Sequence, residues 1–314
     1  MFHRVLACLF VLFAIAVLAS FLAASGWPLD LLAHFQAQYV LGGLVFAAAF
    51  AACRRWPATV MALCLSLVAL MRMDLFDDAR FAATSDASGP SLRVAAANLF
   101  GSSEALDGLV EEHRKHAFDL MILTELPVPA DDGLLARFPG LTHVTGMPGQ
   151  ALAGRPAAVV LSRNAPEEAE LIRVGQNPSA ITRARYCFAD TRPCLDVFAV
   201  HPLPPFNPRY YQSQAAILHA LADRAAQSEG PMLVAGDMNA TSWAPLLQPL
   251  RDEAELRKVA CGNRWSPTWL APVPGLGLEL DHFFVKGGLA VKNCALGSSN
   301  GSDHWPIFTE LVSG

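Results

Sequence analysis

The chain has 314 residues, of which 53% are hydrophobic and only 16% charged, with a formal net charge of −5 and a mean hydropathy of +0.32. Soluble domains carry about 25% charged residues, so this composition excludes a disordered, collagen-like or coiled-coil chain and argues against a purely soluble single domain. The excess apolarity is local: between Val5 and Cys53 the only formal charge is Asp30, whereas charged residues recur normally after Leu92.

Three apolar stretches open the chain, at about Val5–Pro28, Ala37–Cys53 and Trp56–Met71. They are broken by Gly26-Trp27-Pro28-Leu29-Asp30, by Arg54-Arg55 and by Arg72-Met73-Asp74. A membrane-spanning helix needs about 20 apolar residues, with a range of roughly 17–25. The first stretch meets that length and the other two approach it, so residues 1–73 are expected to form a membrane anchor of about three transmembrane helices. The alternative for the first stretch is a cleaved signal peptide with Ala23-Ala24-Ser25 as its small-residue site; two apolar stretches would remain. Arg4 and Arg54-Arg55 fall on one side of alternating helices, and Asp30, Asp74, Asp77 and Asp78 on the other. The positive-inside rule then places the N-terminus in the cytoplasm and everything after the third helix outside it, although Arg72 and Arg80 oppose this weakly. The expected location is the inner (plasma) membrane, multi-pass, with a periplasmic catalytic domain and the lipid bilayer as a partner.

Residues 74–91 are polar, small and aperiodic and read as a linker. Residues 92–314 are long enough for one large core, and they carry no Lys/Arg cluster of the kind that binds phosphate backbones. Strand-like and helix-like patterns alternate there. Leu92–Leu99 reads as a buried strand, Glu104–His116 as a helix and Asp119–Leu123 as a strand. Ala157–Ser162 and Leu195–His201 are further strands, Arg209–Gln227 a helix and Met232–Ala235 a strand, and Leu280–Val285 and Pro306–Leu311 close the series. Short strands interleaved with a few helices indicate an α/β (α+β) mixed-sheet architecture.

Of seven cysteines, Cys8, Cys53 and Cys64 fall in the apolar stretches as small hydrophobes. Cys187 and Cys194 bracket a turn-like segment and could face each other across a hairpin, leaving Cys261 with Cys294; the alternative is four buried thiols. None has zinc spacing. Paired cysteines would agree with an oxidising compartment.

The polar residues are the informative feature. Asn98, Glu125, His201, Asp237 and Asn239 each lie at or just past the end of an apolar strand, Asp281 opens one and Asp303-His304 lead into one. Any one of them could be a cap or turn residue; the set is harder to explain that way. Carboxylates and amides are hard oxygen ligands suited to Mg²⁺ or Mn²⁺, and histidines beside them suit phosphate contact and proton transfer. With no nucleophilic Ser or Cys motif, the combination points to metal-assisted hydrolysis of a phosphate ester.

The ordered runs VAAAN (94–98), DLMILTE (119–125), Val200-His201-Pro202, GDMN (236–239), LDHFF (280–284) and SDHWP (302–306) resemble the endonuclease/exonuclease/phosphatase family, together with AAVVLSR (157–163) and Thr268-Trp269. That family includes DNase I, AP endonucleases, neutral sphingomyelinases and inositol-polyphosphate 5-phosphatases. The resemblance implies a four-layer sandwich, two mixed β-sheets flanked by helices, with the site at their shared edge. It implies Glu125 as main metal ligand with Asn98 beside it and Asp303 near the metal. Asp237 and Asn239 would orient water and phosphate, and His201 would bind a phosphate oxygen. His304 would be the general acid/base or hydrogen-bond donor, held by Asp281.

His201-Pro202 resembles the DNase I and sphingomyelinase-like branches, which disfavours abasic-site repair. Arg209, Tyr210 and Tyr211 after the Pro-rich loop are candidate substrate contacts or helix packing. Trp243 and Trp265 are pocket or packing residues. His113, His116, His143, His219 and His282 have no partner pattern and read as surface or core residues. The implied protein is a membrane-anchored Mg²⁺-dependent phosphohydrolase, nuclease-like or acting on phospholipid head groups. The contrasting class is an inert scaffold domain, which would be expected to have lost a ligand.

Overall fold

The computed structural model describes residues 1–73, 91–146, 157–187, 194–262, 266–270, 273, 276–298 and 301–313. Residues 74–90 of the expected linker lie outside the described residues, and its last residue, Ser91, opens the first strand. In chain order the elements are α1 (Phe2–Ala19), continued by a 3₁₀ turn at Ser20–Ser25, α2 (Leu29–Ala33), α3 (Gln36–Ala52) and α4 (Trp56–Arg72). The sheets and their helices follow: β1 (Ser91–Asn98), α5 (Ser103–His116), β2 (Leu120–Thr124), α6 (Asp132–Leu135), β3 (His143–Thr145), β4 (Ala158–Ser162), β5 (Glu168–Arg173), β6 (Ala180–Tyr186) and β7 (Leu195–Ala199). The chain closes with α7 (Pro208–Ala226), β8 (Met232–Asp237), α8 (Gln248–Asp252), β9 (Arg257–Lys258), β10 (Asp281–Lys286), β11 (Leu289–Leu296) and β12 (Ile307–Ser313).

Two mixed six-stranded sheets follow the N-terminal helices, in the orders β11-β12-β1-β2-β4-β3 and β5-β6-β7-β8-β10-β9. Each has one parallel pair at its centre, β1 with β2 and β7 with β8, and antiparallel neighbours elsewhere. A parallel pair needs a crossover, and α5 and α7 supply them. Ser102 starts α5 by accepting the Ala105 amide, and Asn207 starts α7 by accepting the Tyr210 amide, with Pro208 pre-set for the first turn. Val94, Ala96, Leu120 and Ile122 of the first sheet pack against Val197, Ala199, Leu233, Ala235 and Phe283 of the second. The opposite face of β1 and β2 (Ala95, Ala97, Met121, Leu123) packs on Leu106, Leu109 and Val110 of α5. Phe198, Val234 and Phe284 likewise pack on Ile217, Leu218 and Leu221 of α7. This is the expected four-layer sandwich. Central strands buried on both faces must be apolar throughout, which is why they were readable as continuous runs.

Cys187–Cys194 and Cys261–Cys294 are both disulfide-bonded, and Cys8, Cys53 and Cys64 are free. The second bridge ties the segment after β9 to β11.

Helices α3 and α4 pack closely through small side chains, and Phe10 of α1 packs on Phe46 and Phe50 of α3. Gly43 sits so close to α4 that an added Cβ would lie 2.1 Å from Ser66 Oγ, and Ser66 Oγ donates to Val40 O at 3.1 Å. Phe10, Ala47, Phe50 and Ala62 fill the centre, whereas Leu12, Val45, Val60 and Leu67 are each more than half exposed. Phe2–Ser25 is long and apolar enough to cross a membrane, by length and composition; it lies where a signal sequence would also lie. The other two apolar helices are shorter.

Within the second sheet, β8 lies very close to the end of β7 at Gly236. This glycine has φ +134°, and a Cβ there would fall 2.1 Å from Val200 O, the backbone that follows β7. Only glycine satisfies both conditions. Gly236→Ala is expected to lower the melting temperature of the full-length chain by about 5 °C or more, measured by circular dichroism in detergent.

Candidate active site

The strands that end at the sheet edge deliver the polar residues singled out in the sequence to one place. Asn98 is the last residue of β1, Glu125 follows β2, His201 lies just past β7, and Asp237 ends β8. Asp281 opens β10 directly opposite Asp237 in the antiparallel register. Asn98, His201, Asp237, Asp281 and His304 are all buried. Glu125 and Asn239 adopt the left-handed backbone conformation, φ +48° and +50°. Non-glycine residues pay for that geometry with strain, which persists where a site requires it.

Asn98 binds the two halves together: its Nδ2 donates to Glu125 Oε1 at 3.1 Å and to Asp237 Oδ2 at 3.0 Å, while its Oδ1 accepts the Phe100 amide. His201 Nε2 lies 3.5 Å from Glu125 Oε1 and 3.6 Å from Asp237 Oδ2. The Asn239 amide donates to Asp237 Oδ1 at 2.8 Å, and Asn239 Nδ2 donates to Pro202 O.

His304 is the electrostatic centre. Its Nδ1 bonds Asp281 Oδ2 at 2.7 Å, and its Nε2 lies 3.9 Å from Asp237 Oδ2. Burial disfavours the imidazolium, but the facing carboxylates of Asp281 and Asp237 outweigh it and push the pKa up to about 10. Asp281 responds in the opposite direction: burial raises it, and the His304 charge and hydrogen bond more than offset that, leaving it lowered. Asp237 is raised, with burial dominant over the attraction of His304. The neighbouring carboxyls thus differ, Asp281 held as a carboxylate and Asp237 biased toward taking a proton.

Residues to which the sequence assigned no role in the site hold this arrangement, Thr268, Trp269 and Ser302 among them from segments that resemble the family. Thr268 Oγ1 accepts the Leu280 and Asp281 amides, each at 3.0 Å. Ser302 Oγ donates to Asn98 O and accepts the His304 amide. Trp269 Nε1 donates to Asp303 Oδ2 at 3.1 Å. Gln214 Nε2 on α7 donates to Met238 O and Asn239 O; its one sequence signal is a polar residue on the apolar face with Ile217, Leu218 and Leu221. His282, read as a core or surface residue, is buried and bonds Ala240 O at 2.8 Å; burial and then Lys258 depress it to about 4, so it stays neutral. His113 bonds Pro139 O, and His116 pairs with Glu112. Tyr210 lines the active-site cavity, Tyr211 packs with the α7 core, and Arg209 is exposed. Trp243 packs with Ala37 and Met73. Trp265 lies outside the described residues.

Glu125, His201, Asp237, Asn239, Asp303 and His304 open into one cavity of about 580 Å³. Among the described residues no three His, Cys, Asp or Glu side chains form a ready-made metal cage. The donor set nevertheless fits Mg²⁺, which is typically held by one or two carboxylates and completed by water and substrate phosphate. Glu125 faces the cavity, and Asp303 Oδ1 is buried with no hydrogen-bond partner. Asn98, as placed, turns its amide nitrogen to the carboxylates, so it brackets them; ligation through its oxygen would need the amide turned over.

The sequence profile of the endonuclease/exonuclease/phosphatase family matches residues 95–304. The chain belongs to that family. Its fold is similar to solved structures of a humanized Danio rerio (D. rerio) TDP2 carrying 14 mutations (TM-score 0.57, 16% identity, 70% of this chain and 98% of that one). It is also similar to a family protein from Bacteroides vulgatus (TM-score 0.57, 15% identity, 72% and 100%) and to one from Beutenbergia cavernae (TM-score 0.56, 20% identity, 71% and 72%). No curated protein matches it by sequence. At these identities the likeness shows the fold alone; the family assignment is what implies a phosphoester hydrolase.

Asp281→Asn keeps the shape but removes the charge that holds His304. It is expected to lower kcat on bis-p-nitrophenyl phosphate by about a hundredfold or more. Because the carboxylate raises the His304 pKa, its loss should also move the alkaline limb of the kcat profile to lower pH.

Proposed function

We propose that the protein is a membrane-anchored, Mg²⁺-dependent (or Mn²⁺-dependent) phosphodiesterase that cleaves a phosphoester by attack of water. The observation that carries this reading is the pairing of His304 between Asp281 and Asp237, beside the Asn98–Glu125–His201 cluster, at the wall of one cavity. His304, kept protonated near neutrality, presents Nε2–H to the phosphoryl oxygen or leaving oxygen as negative charge builds there. Asp281 fixes the ring by accepting from Nδ1. Asp237 Oδ2 is the base best placed for the proton of the attacking water, since burial raises its basicity. Asn239 and His201 orient the phosphate. A Mg²⁺ ion held by Glu125 and Asp303, with Asn98 beside them, would supply charge neutralisation on the phosphate oxygens.

The anchoring part of the reading is supported by the helices themselves. Leu12, Val45, Val60 and Leu67 face outward, and Gly43 lets α3 and α4 approach closely, features expected where lipid is the solvent. Residues 1–73 are read as three spans, with residues 92–314 as the catalytic domain outside the cytoplasm. The two disulfides agree with an oxidising compartment.

The full-length chain in detergent should hydrolyse bis-p-nitrophenyl phosphate with Mg²⁺ or Mn²⁺ and stop with EDTA. Glu125→Gln and His304→Asn should each lose about a hundredfold or more in kcat; activity that survives EDTA would refute the metal assignment. A C-terminal alkaline phosphatase fusion should be active in bacterial cells, and an inactive one would refute the periplasmic placement.

A further inference from the structure

We propose that the segment between the first and third helices, residues 27–35, is a wall of the catalytic cavity and selects phosphoesters bearing apolar chains, namely the head groups of bilayer lipids. This names the substrate class of the phosphodiesterase site proposed above and rests on that reading. Leu31, His34 and Phe35 line the same cavity as Glu125, Asp237 and His304, so the anchor contributes side chains to the site.

The contact is built into the fold. His34 Nδ1 accepts the Thr241 amide at 3.2 Å and lies 3.1 Å from Thr241 Oγ1. That fixes its remaining proton on Nε2, which faces Asp30 Oδ2 at 3.4 Å. Asp30 is fully buried, and neither of its carboxyl oxygens has a hydrogen bond. A polar pair buried in an apolar setting is costly, and this one is spent on docking the anchor. Thr241 follows Asn239 by two residues, so the latch grips the loop that carries Asp237 and Asn239. Gln38, at the start of α3, adds a second grip by donating to Gly277 O at 2.9 Å.

The cavity's chemistry is divided. Its base carries the catalytic carboxylates and imidazoles, whereas Phe35, Phe100, Phe206 and Leu278 make its sides apolar. Phe206, which lines the cavity, is 77% exposed. Among the described residues, no Lys or Arg lines it, and a nucleic-acid strand is held mainly by such cations. The wall also has a fixed height. It begins directly after the span ending at Ser25 and ends where α3 begins at Gln36. With both helices in the bilayer, the cavity opens at the lipid interface, where Trp27, partly exposed, is favoured. A lipid would keep its chains against the apolar sides while its phosphate reaches the base. Water oxygen then bonds to phosphorus, the ester P–O bond breaks, the leaving oxygen takes the proton, and a phosphate monoester and an alcohol result.

The test uses the full-length protein with Mg²⁺ and three probes: dioleoyl glycerophospholipids in mixed micelles, bis-p-nitrophenyl phosphate, and a single-stranded DNA oligonucleotide. Phe35→Asp and the more exposed Phe206→Asp should each reduce the ratio of kcat/KM on lipid to that on bis-p-nitrophenyl phosphate by about tenfold or more, and His34→Ala should raise KM for lipid. Residual turnover of the small diester shows that each variant is folded. A ratio unmoved in both Asp variants, or wild-type preference for DNA over lipid, would overturn the lipid assignment and leave the phosphodiesterase reading standing. Inactivity of the wild type on all three probes would overturn both.

Discussion

Between the two sheets there is no space for an unpaired charge. Val94, Ala96, Ile122, Val197, Ala199 and Ala235 close the interface to zero exposure, and a charge placed there would cost several kcal/mol. The chain instead lets each apolar strand run to its end and changes to a polar residue at the edge. Two carboxylates still lie almost fully buried there, Asp237 and Asp281, and the rest of the site follows from how they are satisfied. One imidazole, His304, sits between them. Asn98 spends its amide hydrogens on Glu125 and Asp237, and Thr268 and Ser302 hold the backbone that presents Asp281 and His304. Remove the imidazole and two buried carboxyls would face each other with nothing between.

This constraint also explains what the sequence reveals. A strand buried on both faces has to be continuous in apolar residues, and a catalytic residue at its end is conspicuous as the first polar side chain after such a run. Asn98, His201 and Asp237 were legible for that reason, Glu125 one residue beyond Thr124, and Asp281 and His304 on the entry side of β10 and β12. Strands at the sheet margins were not. β5 (EAELIR) is largely exposed and β11 (LAVKNCAL) alternates, so neither has a run to detect. β3 and β9 have three and two residues, too short for any period. Thr268 and Gln214 act through backbone groups distant in sequence, and only the polar interruption of the α7 apolar face hinted at Gln214.

The short helix α2 was hidden for a different reason. Gly26, Trp27, Pro28 and Asp30 read as a break between apolar helices, and locally that is what they are. Their role depends on a partner 207 residues away, the distance in sequence between His34 and Thr241, which no local pattern records. The left-handed backbone at Glu125 and Asn239 is similarly invisible, because neither residue is glycine and nothing in the neighbouring sequence demands the conformation.

Docking of the N-terminal helices onto the loop that carries Asp237 and Asn239 changes what those helices are for. A tether that only restrained the enzyme near a membrane would need no contact with it beyond a linker, and the polar residues between its helices would be solvated. Here Asp30 is fully buried, His34 is turned toward Thr241, and Gln38 reaches Gly277 and Leu276. Each of these groups loses hydration and side-chain freedom to make the contact. The return is orientation. The loop bearing Asp237 and Asn239 is fixed from one side by Gln214 of α7 and from the other by His34 of the anchor. The geometry of the candidate site is therefore referenced to the N-terminal helices as well as to the sheets. In the proposed membrane setting, a substrate approaching along the bilayer surface would meet a cavity already set at its own depth, and orientation of that kind lowers the entropic barrier to reaction before any bond changes.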